Sequence, residues 1–208
     1  MNLEALKILL EGSTTDGVDC HSAAIEYGNG SAVEVETGIF LYGFVRRLHP
    51  AVIVETGTHW GFSSAFIGLA LVDAAKDYPR QLGHLFTVDS NGYDGKPERL
   101  WESIGVNHVI THHIGNSFEY IPPRNDADFL WLDADHAAEA IITEFEKFFA
   151  HCNPNGVWLA FHDTRLDVRM DPGIEAIKIH PLVKTRYSQV NHVKMRNFRG
   201  FDLLQMLP

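Results

Sequence analysis

Residues 51–64 read AVIVETGTHWGFSS, and this stretch decides the fold. Ala51 to Glu55 is a short β-branched run that predicts a strand buried on both faces, as in a parallel sheet. The turn Glu55-Thr56-Gly57-Thr58-His59-Trp60-Gly61 follows, and a helical pattern opens at Phe62-Ser63-Ser64. Gly57 and Gly61 allow the backbone to turn tightly against a ligand, and the free N–H groups of a helix N-terminus face whatever sits there. Taken alone, the same turn serves equally well as a plain strand-to-helix connection.

On either side of this stretch, short apolar runs alternate with longer helix-like ones. Strands are predicted at His84 to Asp89, His108 to His112, Asp128 to Asp133 and Val157 to Asp163, each buried on both faces. Helices are predicted over Phe62 to Ala75, Pro97 to Ile104 and Ala137 to Ala150. The alternation implies a doubly wound α/β domain with a mostly parallel, seven-stranded sheet. Segments 182–192 and 198–207 read instead as an antiparallel C-terminal pair. One domain is expected over 1–208, with 51–208 as its core. Residues 1–50 form a helical preface, in which Gly38 to Leu48 is amphipathic and Gly12 to Gly30 is a loop-like candidate lid.

Composition narrows the function classes. A net charge of -10 argues against a nucleic-acid partner, whose phosphates need Lys and Arg. The basic residues near the end (Lys184, Arg186, Lys194, Arg196, Arg199) read as a solvated face. Two cysteines, Cys20 and Cys152, suit neither a disulfide scaffold nor a cysteine zinc site and fit a reducing cytoplasm. No run approaches the ~20 apolar residues that span a bilayer, and the N-terminus lacks a cleavage-site pattern. A small-molecule ligand and a soluble chain, with a homodimer left open, are the expectation.

Several predicted strands end in polar residues that their apolar bodies do not require. Asp89 suits the two hydroxyls of a ribose, although a solvated strand-end carboxylate is an equal reading. The turn after the first strand lacks GxGxxG, which argues against NAD. Asp133-Ala134-Asp135-His136 and His162-Asp163-Thr164 end neighbouring strands, so Asp133 and Asp163 should meet at one rim of the sheet. Two close carboxylates need a compensating cation, which a divalent metal supplies; separate helix caps or surface charges are the alternative. Oxygen donors favour Mg²⁺, and a participating imidazole favours Mn²⁺ or Fe²⁺. Asp135 is either a supporting group or a cap for the following helix.

The turn ETGTHWGFSS resembles that of class I S-adenosylmethionine-dependent methyltransferases, specifically the catechol O-methyltransferase-like branch. D-x-D-H followed by H-D-T is similar to the branch containing macrolide-sugar methyltransferases and cephalosporin-hydroxylase-like proteins. The resemblance implies that Glu55, Gly57, Thr58, His59, Gly61 and Ser63 line the S-adenosylmethionine site with Asp89 and Asp133, and that Gly115-Asn116-Ser117 forms the adenine-contacting turn. It implies that Asp133 and Asp163, with His162, hold the metal and that His136 is the catalytic base. His162 stands where some relatives carry an acidic residue, and Thr164 replaces the Asn of the catechol enzymes. The implied activity is metal-assisted O-methylation of a small-molecule hydroxyl. Metal-independent N- or C-methylation, or a hydroxylase-like or binding protein on the same fold, remains the alternative.

Overall fold

The structure is a computed structural model that describes residues 3–11, 33–78, 82–165, 167–195 and 199–208. The expected lid at Gly12 to Gly30 lies outside the described residues. The strands are β1 (Val52–Thr56), β2 (His84–Asp89), β3 (Ile110–Ile114), β4 (Phe129–Leu132), β5 (Val157–His162), β6 (Gln189–Met195) and β7 (Phe201–Leu207). The helices are α1 (Leu3–Glu11), α2 (Val35–Leu48), α3 (Phe62–Asp77), α4 (Lys96–Ser103), α5 (Ala138–Phe149), α6 (Met170–Lys178) and α7 (Pro181–Arg186). Among the described residues the strands form one seven-stranded sheet in the order β3-β2-β1-β4-β5-β7-β6. β1, β4 and β5 pair in parallel, as do β2 and β3, while β5, β7 and β6 pair antiparallel. This is the predicted doubly wound sheet with its antiparallel C-terminal pair.

The chain forms two compact units, 1–51 with 58–114, and 52–57 with 115–208. In the first, α2 packs along α3, and the contact is pinned by polar groups as well as apolar ones. The Tyr42 hydroxyl donates to buried Asp73 at 2.8 Å, and Arg46 donates to Asp77 at 2.6 Å. Phe62, Phe66, Ile67 and Trp101 are almost wholly buried there, each stabilising the fold by about 2 kcal/mol on an area basis. α2 ends where His49 turns left-handed (φ 52) before Pro50, the residue that stops helix continuation.

In the second unit Phe129, Trp131, Phe145, Phe148 and Phe161 are fully buried. β1 and β4 are buried at every position, as a central parallel strand must be. α5 and α6 approach closely because α6 carries Gly173, where a Cβ would stand 2.6 Å from Ile141. α6 escaped the sequence analysis, since Pro172 and Gly173 sit inside it and read as breakers.

Two expectations are corrected. The third strand runs Ile110–Ile114 rather than His108 to His112, because residues 107–109 form a 3₁₀ turn first. It is also not buried on both faces: three of its five residues are exposed, consistent with the sheet edge it occupies. Residues 182–186 belong to α7 rather than to the antiparallel pair, which begins at Gln189.

Candidate active site

Thr58, His59, Gly61, Ser63 and Asp89 all fall in the unit containing β2 and β3. Gly61, left-handed at φ 79, is the N-cap of α3 and offers no side-chain cap, so the first-turn N–H groups are not consumed by one. Ser63 lies in that first turn and is buried. Asp89 sits at the end of β2, where one carboxylate oxygen accepts from the His59 N–H at 2.8 Å and the other from the Asn91 N–H at 2.9 Å. A carboxylate has about four acceptor sites, so each oxygen retains capacity for a ligand hydroxyl. The Thr58 and Thr87 hydroxyls pair at 2.6 Å behind the turn, and Trp101 donates to the Gly61 carbonyl at 3.0 Å. His59 (φ 46) stacks on Trp60 and meets Tyr93 (φ 47) edge-on. Left-handed non-glycine residues gathered around one carboxylate are strain of the kind that functional sites hold.

Glu55, Gly57, Gly115, Asn116, Ser117, Asp133, His136, His162 and Asp163 fall in the other unit. Glu55 is fully buried within β1. Gly57 (φ 83) could not be anything else: a Cβ there would lie 2.2 Å from the Asp133 carbonyl oxygen. Gly115-Asn116-Ser117 is a compact turn in which the Asn116 side chain accepts from the Phe118 N–H at 3.0 Å, and Ser117 lies close enough to the Glu144 carboxyl to act on it.

β4 and β5 run parallel with Leu132 level with Phe161, so Asp133, His162 and Asp163 emerge together at their carboxyl ends. The His162 Nδ1 lies 3.3 Å from Asp133 Oδ1 and 3.4 Å from Asp163 Oδ1. The His136 Nε2 lies 3.5 Å from Asp133 Oδ1 and 3.8 Å from Asp163 Oδ2, with its Nδ1 3.7 Å from Asp167. Asp163 is left-handed (φ 63) and pairs through Oδ2 with Arg199. Its Oδ1 is buried and accepts no hydrogen bond among the described residues. Asp135 accepts from the Ala137 N–H at 2.9 Å and so serves the entrance to α5.

These groups perturb one another. Burial acts to raise the Asp133 carboxyl, but His162 and His136 override it and hold it below the ordinary range. Burial raises Asp163, the Asp133 charge adds to that, and His162 and Arg199 only partly offset it. His136 is raised by its hydrogen bond to Asp133, with Asp163 and Asp167 adding their charges.

The donor set fits a divalent cation. Asp133, His136 and Asp163 each offer an atom within 4.8 Å of the others. His162 stands at the separations quoted above, near the roughly 3 Å between neighbouring donors on one octahedral ion. The orphaned Asp163 oxygen is the acceptor such an ion would satisfy, and Arg199 on the other oxygen is the outer hydrogen bond that metal-binding carboxylates ordinarily carry.

A doubly wound sheet with a glycine turn after β1, a carboxylate at the end of β2 and carboxylates just past β4 and β5 suits a methyltransferase. Residues 54–164 match the sequence profile of a methyltransferase-domain family, and the chain belongs to that family. Among solved structures it is similar to the O-methyltransferase from Bacillus cereus in complex with SAH, with 17% identity, a TM-score of 0.71, and coverage of 99% of this chain and 91% of that one. It is also similar to the O-methyltransferase TomG from Streptomyces achromogenes, in complex with SAM, with 18% identity, a TM-score of 0.66 and coverage of 99% and 90%. A methyltransferase from Geobacter sulfurreducens aligns at 15% identity, a TM-score of 0.67 and coverage of 88% and 84%. At these identities the likeness establishes the fold. A comparison with curated proteins returned no match.

Three participants escaped the sequence analysis. Arg199 reads as one of a run of surface cations, and only the return of the β6–β7 hairpin puts it on Asp163. Asp167 sits in a turn whose N–H donates to the Asp163 carbonyl at 2.8 Å, which brings it to His136. Glu144 lies on the inner face of an amphipathic helix, where a lone acid among Phe145, Phe148 and Phe149 was the available signal.

Proposed function

We propose that the enzyme transfers a methyl group from S-adenosylmethionine to a small-molecule hydroxyl, assisted by a divalent metal. The observation that supports this best is the convergence of Asp133, His136, His162 and Asp163 at one end of β4 and β5. Glu55, Gly57, Thr58, His59, Gly61, Ser63 and Asp89 are the donor-binding residues in this reading, with Gly115-Asn116-Ser117 toward the adenine. Asp133 Oδ1, Asp163 Oδ1 and His162 Nδ1 are the metal ligands. When bound, the metal lowers the pKa of a coordinated hydroxyl. An imidazole among the donors shifts the preference from Mg²⁺ toward Mn²⁺ or Fe²⁺.

The protein's own part is positioning and proton transfer. Methyl transfer is an in-line displacement, so holding donor and acceptor in line supplies much of the rate. His136 takes the hydroxyl proton at Nε2, and Asp167, 3.7 Å from Nδ1, stabilises the imidazolium that results. A metal-independent reading is favoured by one observation: Arg199 already pairs with Asp163, one of the two carboxylates.

Calorimetry separates the two. With S-adenosylhomocysteine present, wild type is expected to bind Mn²⁺ more tightly than Mg²⁺, and S-adenosylhomocysteine alone should raise the melting temperature. No heat with either metal would leave the metal-independent reading standing. No thermal shift at millimolar S-adenosylhomocysteine would overturn both.

A further inference from the structure

Glu144 is a carboxylic acid placed wholly inside the protein, and neither the donor-binding nor the metal-binding reading uses it. Its Oε2 accepts from the Thr56 hydroxyl at 3.0 Å. Thr56 ends β1, and its hydroxyl and carbonyl oxygens in turn accept from the Asp133 N–H at 3.3 and 3.1 Å. A short relay therefore runs from α5 through the last residue of β1 to the first residue after β4. Gly57, the next residue, presses against the Asp133 carbonyl, so the backbone of Asp133 is gripped from both of its peptide groups.

Asp163 has a counterpart. The hydroxyl of Thr164 donates to buried Asp202 at 2.8 Å, and His192 satisfies the other oxygen of Asp202 at 2.7 Å. Each member of the acid pair thus stands beside a threonine anchored on an interior carboxylate. The difference is satisfaction. Among the described residues nothing donates to the buried Glu144 Oε1, although Ser117 lies close enough to act on the carboxyl. An under-satisfied acid in the core is costly, so a core apolar residue would be the cheaper choice for folding alone.

We propose that Glu144 is a positioning residue, which fixes Asp133 at the mouth of the site through the Thr56 hydroxyl. The inference rests on the proposed function for its purpose, since Asp133 is placed as a metal ligand, but not for its physical content. Thr56 must orient its single proton toward Glu144 to leave a lone pair for the Asp133 N–H. Removing Glu144 frees that proton, and the hydroxyl can then rotate away from Asp133.

The test compares Glu144→Gln, Glu144→Leu, Thr56→Val and Thr56→Ser with wild type. Two quantities are read: hydrogen exchange at the Asp133 amide, and Mn²⁺ affinity with S-adenosylhomocysteine bound. Thr56→Val and Glu144→Leu are expected to speed exchange at Asp133 at least tenfold and to weaken Mn²⁺ by 10- to 100-fold, the usual range for groups supporting a metal ligand. Thr56→Ser and Glu144→Gln keep the hydroxyl and an acceptor, and should restore both. Should Glu144→Leu fail to fold, the two threonine variants decide. Uniformly faster exchange across the chain, or Asp133 protection unchanged in Thr56→Val, would overturn the proposal. If exchange responds as expected while wild type binds no metal, the brace stands and the metal reading falls.

Discussion

Asp133 and Asp163 occupy corresponding places, just past the carboxyl ends of neighbouring parallel strands. Their surroundings differ in a way that divides labour between them. Asp163 has an arginine partner and a left-handed backbone, yet its carboxyl is pushed up by burial. Among the described residues Asp133 has no arginine partner; it lies more open at 13% side-chain exposure against 6%, and is held low by two imidazoles. Two like charges this close cannot both ionise independently, so one is lowered and one raised and the pair titrates as a unit. The lesson is that position along a strand assigns a residue to the site, but the neighbours assign its charge.

The largest effects fall on the carboxylates themselves. Asp133→Ala and Asp163→Ala are each expected to weaken Mn²⁺ at least 100-fold by calorimetry, and Asp163→Ala, which lies outside the proposed donor-binding residues, should leave S-adenosylhomocysteine affinity nearly unchanged. The comparison sharpens with Asp163→Asn, which keeps shape but leaves Arg199 beside a neutral partner. Because ionised Asp133 is held low by its imidazoles while burial opposes the ionised form of Asp163, Asp133→Asn should lose protein stability as well as metal, whereas Asp163→Asn should lose metal with less loss of stability. Equal stability of the two Asn variants would break the comparison.

Next comes Gly57→Ala. The added Cβ meets the Asp133 carbonyl at 2.2 Å, and the residue is held at φ 83. Backbone cannot yield as a side-chain tip can, so overpacking and the left-handed penalty together should cost about 3 kcal/mol or more. Chemical denaturation measures it, and a loss under about 1 kcal/mol would show that the β1 and β4 ends part easily.

A smaller contrast separates the two imidazoles. His162→Ala should weaken Mn²⁺ by roughly 10- to 100-fold. His136→Ala should leave Mn²⁺ bound and lower turnover, with activity recovering toward high pH as the acceptor ionises unaided. If His136→Ala is the variant that loses metal, the ligand and base assignments exchange.

The sheet was legible because its central strands are runs of Val, Ile, Leu and Phe ending in acids, and burial on both faces leaves few other sequences possible. The edge strand β3 was placed two residues early, since an exposed strand reading ITHHI has no apolar pattern to mark its start. The acid pair was legible for the same reason as the sheet: Asp133 and Asp163 follow apolar strands directly. Arg199 and Glu144 were not, because each reaches its partner through tertiary approach, 36 residues from Asp163 and 88 from Thr56, and Asp167 meets His136 only because a turn folds it back onto the Asp163 carbonyl. No local periodicity records such contacts. Glu144 is the plainest case, a charged residue whose helix pattern places it inward where the same pattern predicts an apolar one.

The two braces give the finest comparison. Glu144 is raised from an ordinary carboxyl value of 4.5 to about 7 by burial, with Asp135 and Asp133 adding charge and the Ser117 and Thr56 hydrogen bonds only partly offsetting it. The folded state therefore holds this proton more tightly than the unfolded chain does. The resulting stabilisation is fully present below pH 4.5 and is lost as pH rises through about 7. In total that is about 3 kcal/mol, of which about 1 kcal/mol falls between pH 6 and pH 8. Glu144→Gln cannot ionise, and its neighbours titrate as in wild type, so those contributions cancel in the difference. Wild type should lose about 1 kcal/mol relative to Glu144→Gln between pH 6 and pH 8 in urea denaturation. Asp202→Asn is the control. Asp202 has Thr164 on one oxygen and His192 on the other, so its variant should be destabilised by the loss of a buried acceptor. A stability difference between wild type and Glu144→Gln that stays constant from pH 6 to pH 8 would mean that Glu144 does not titrate in that range and holds one charge state throughout.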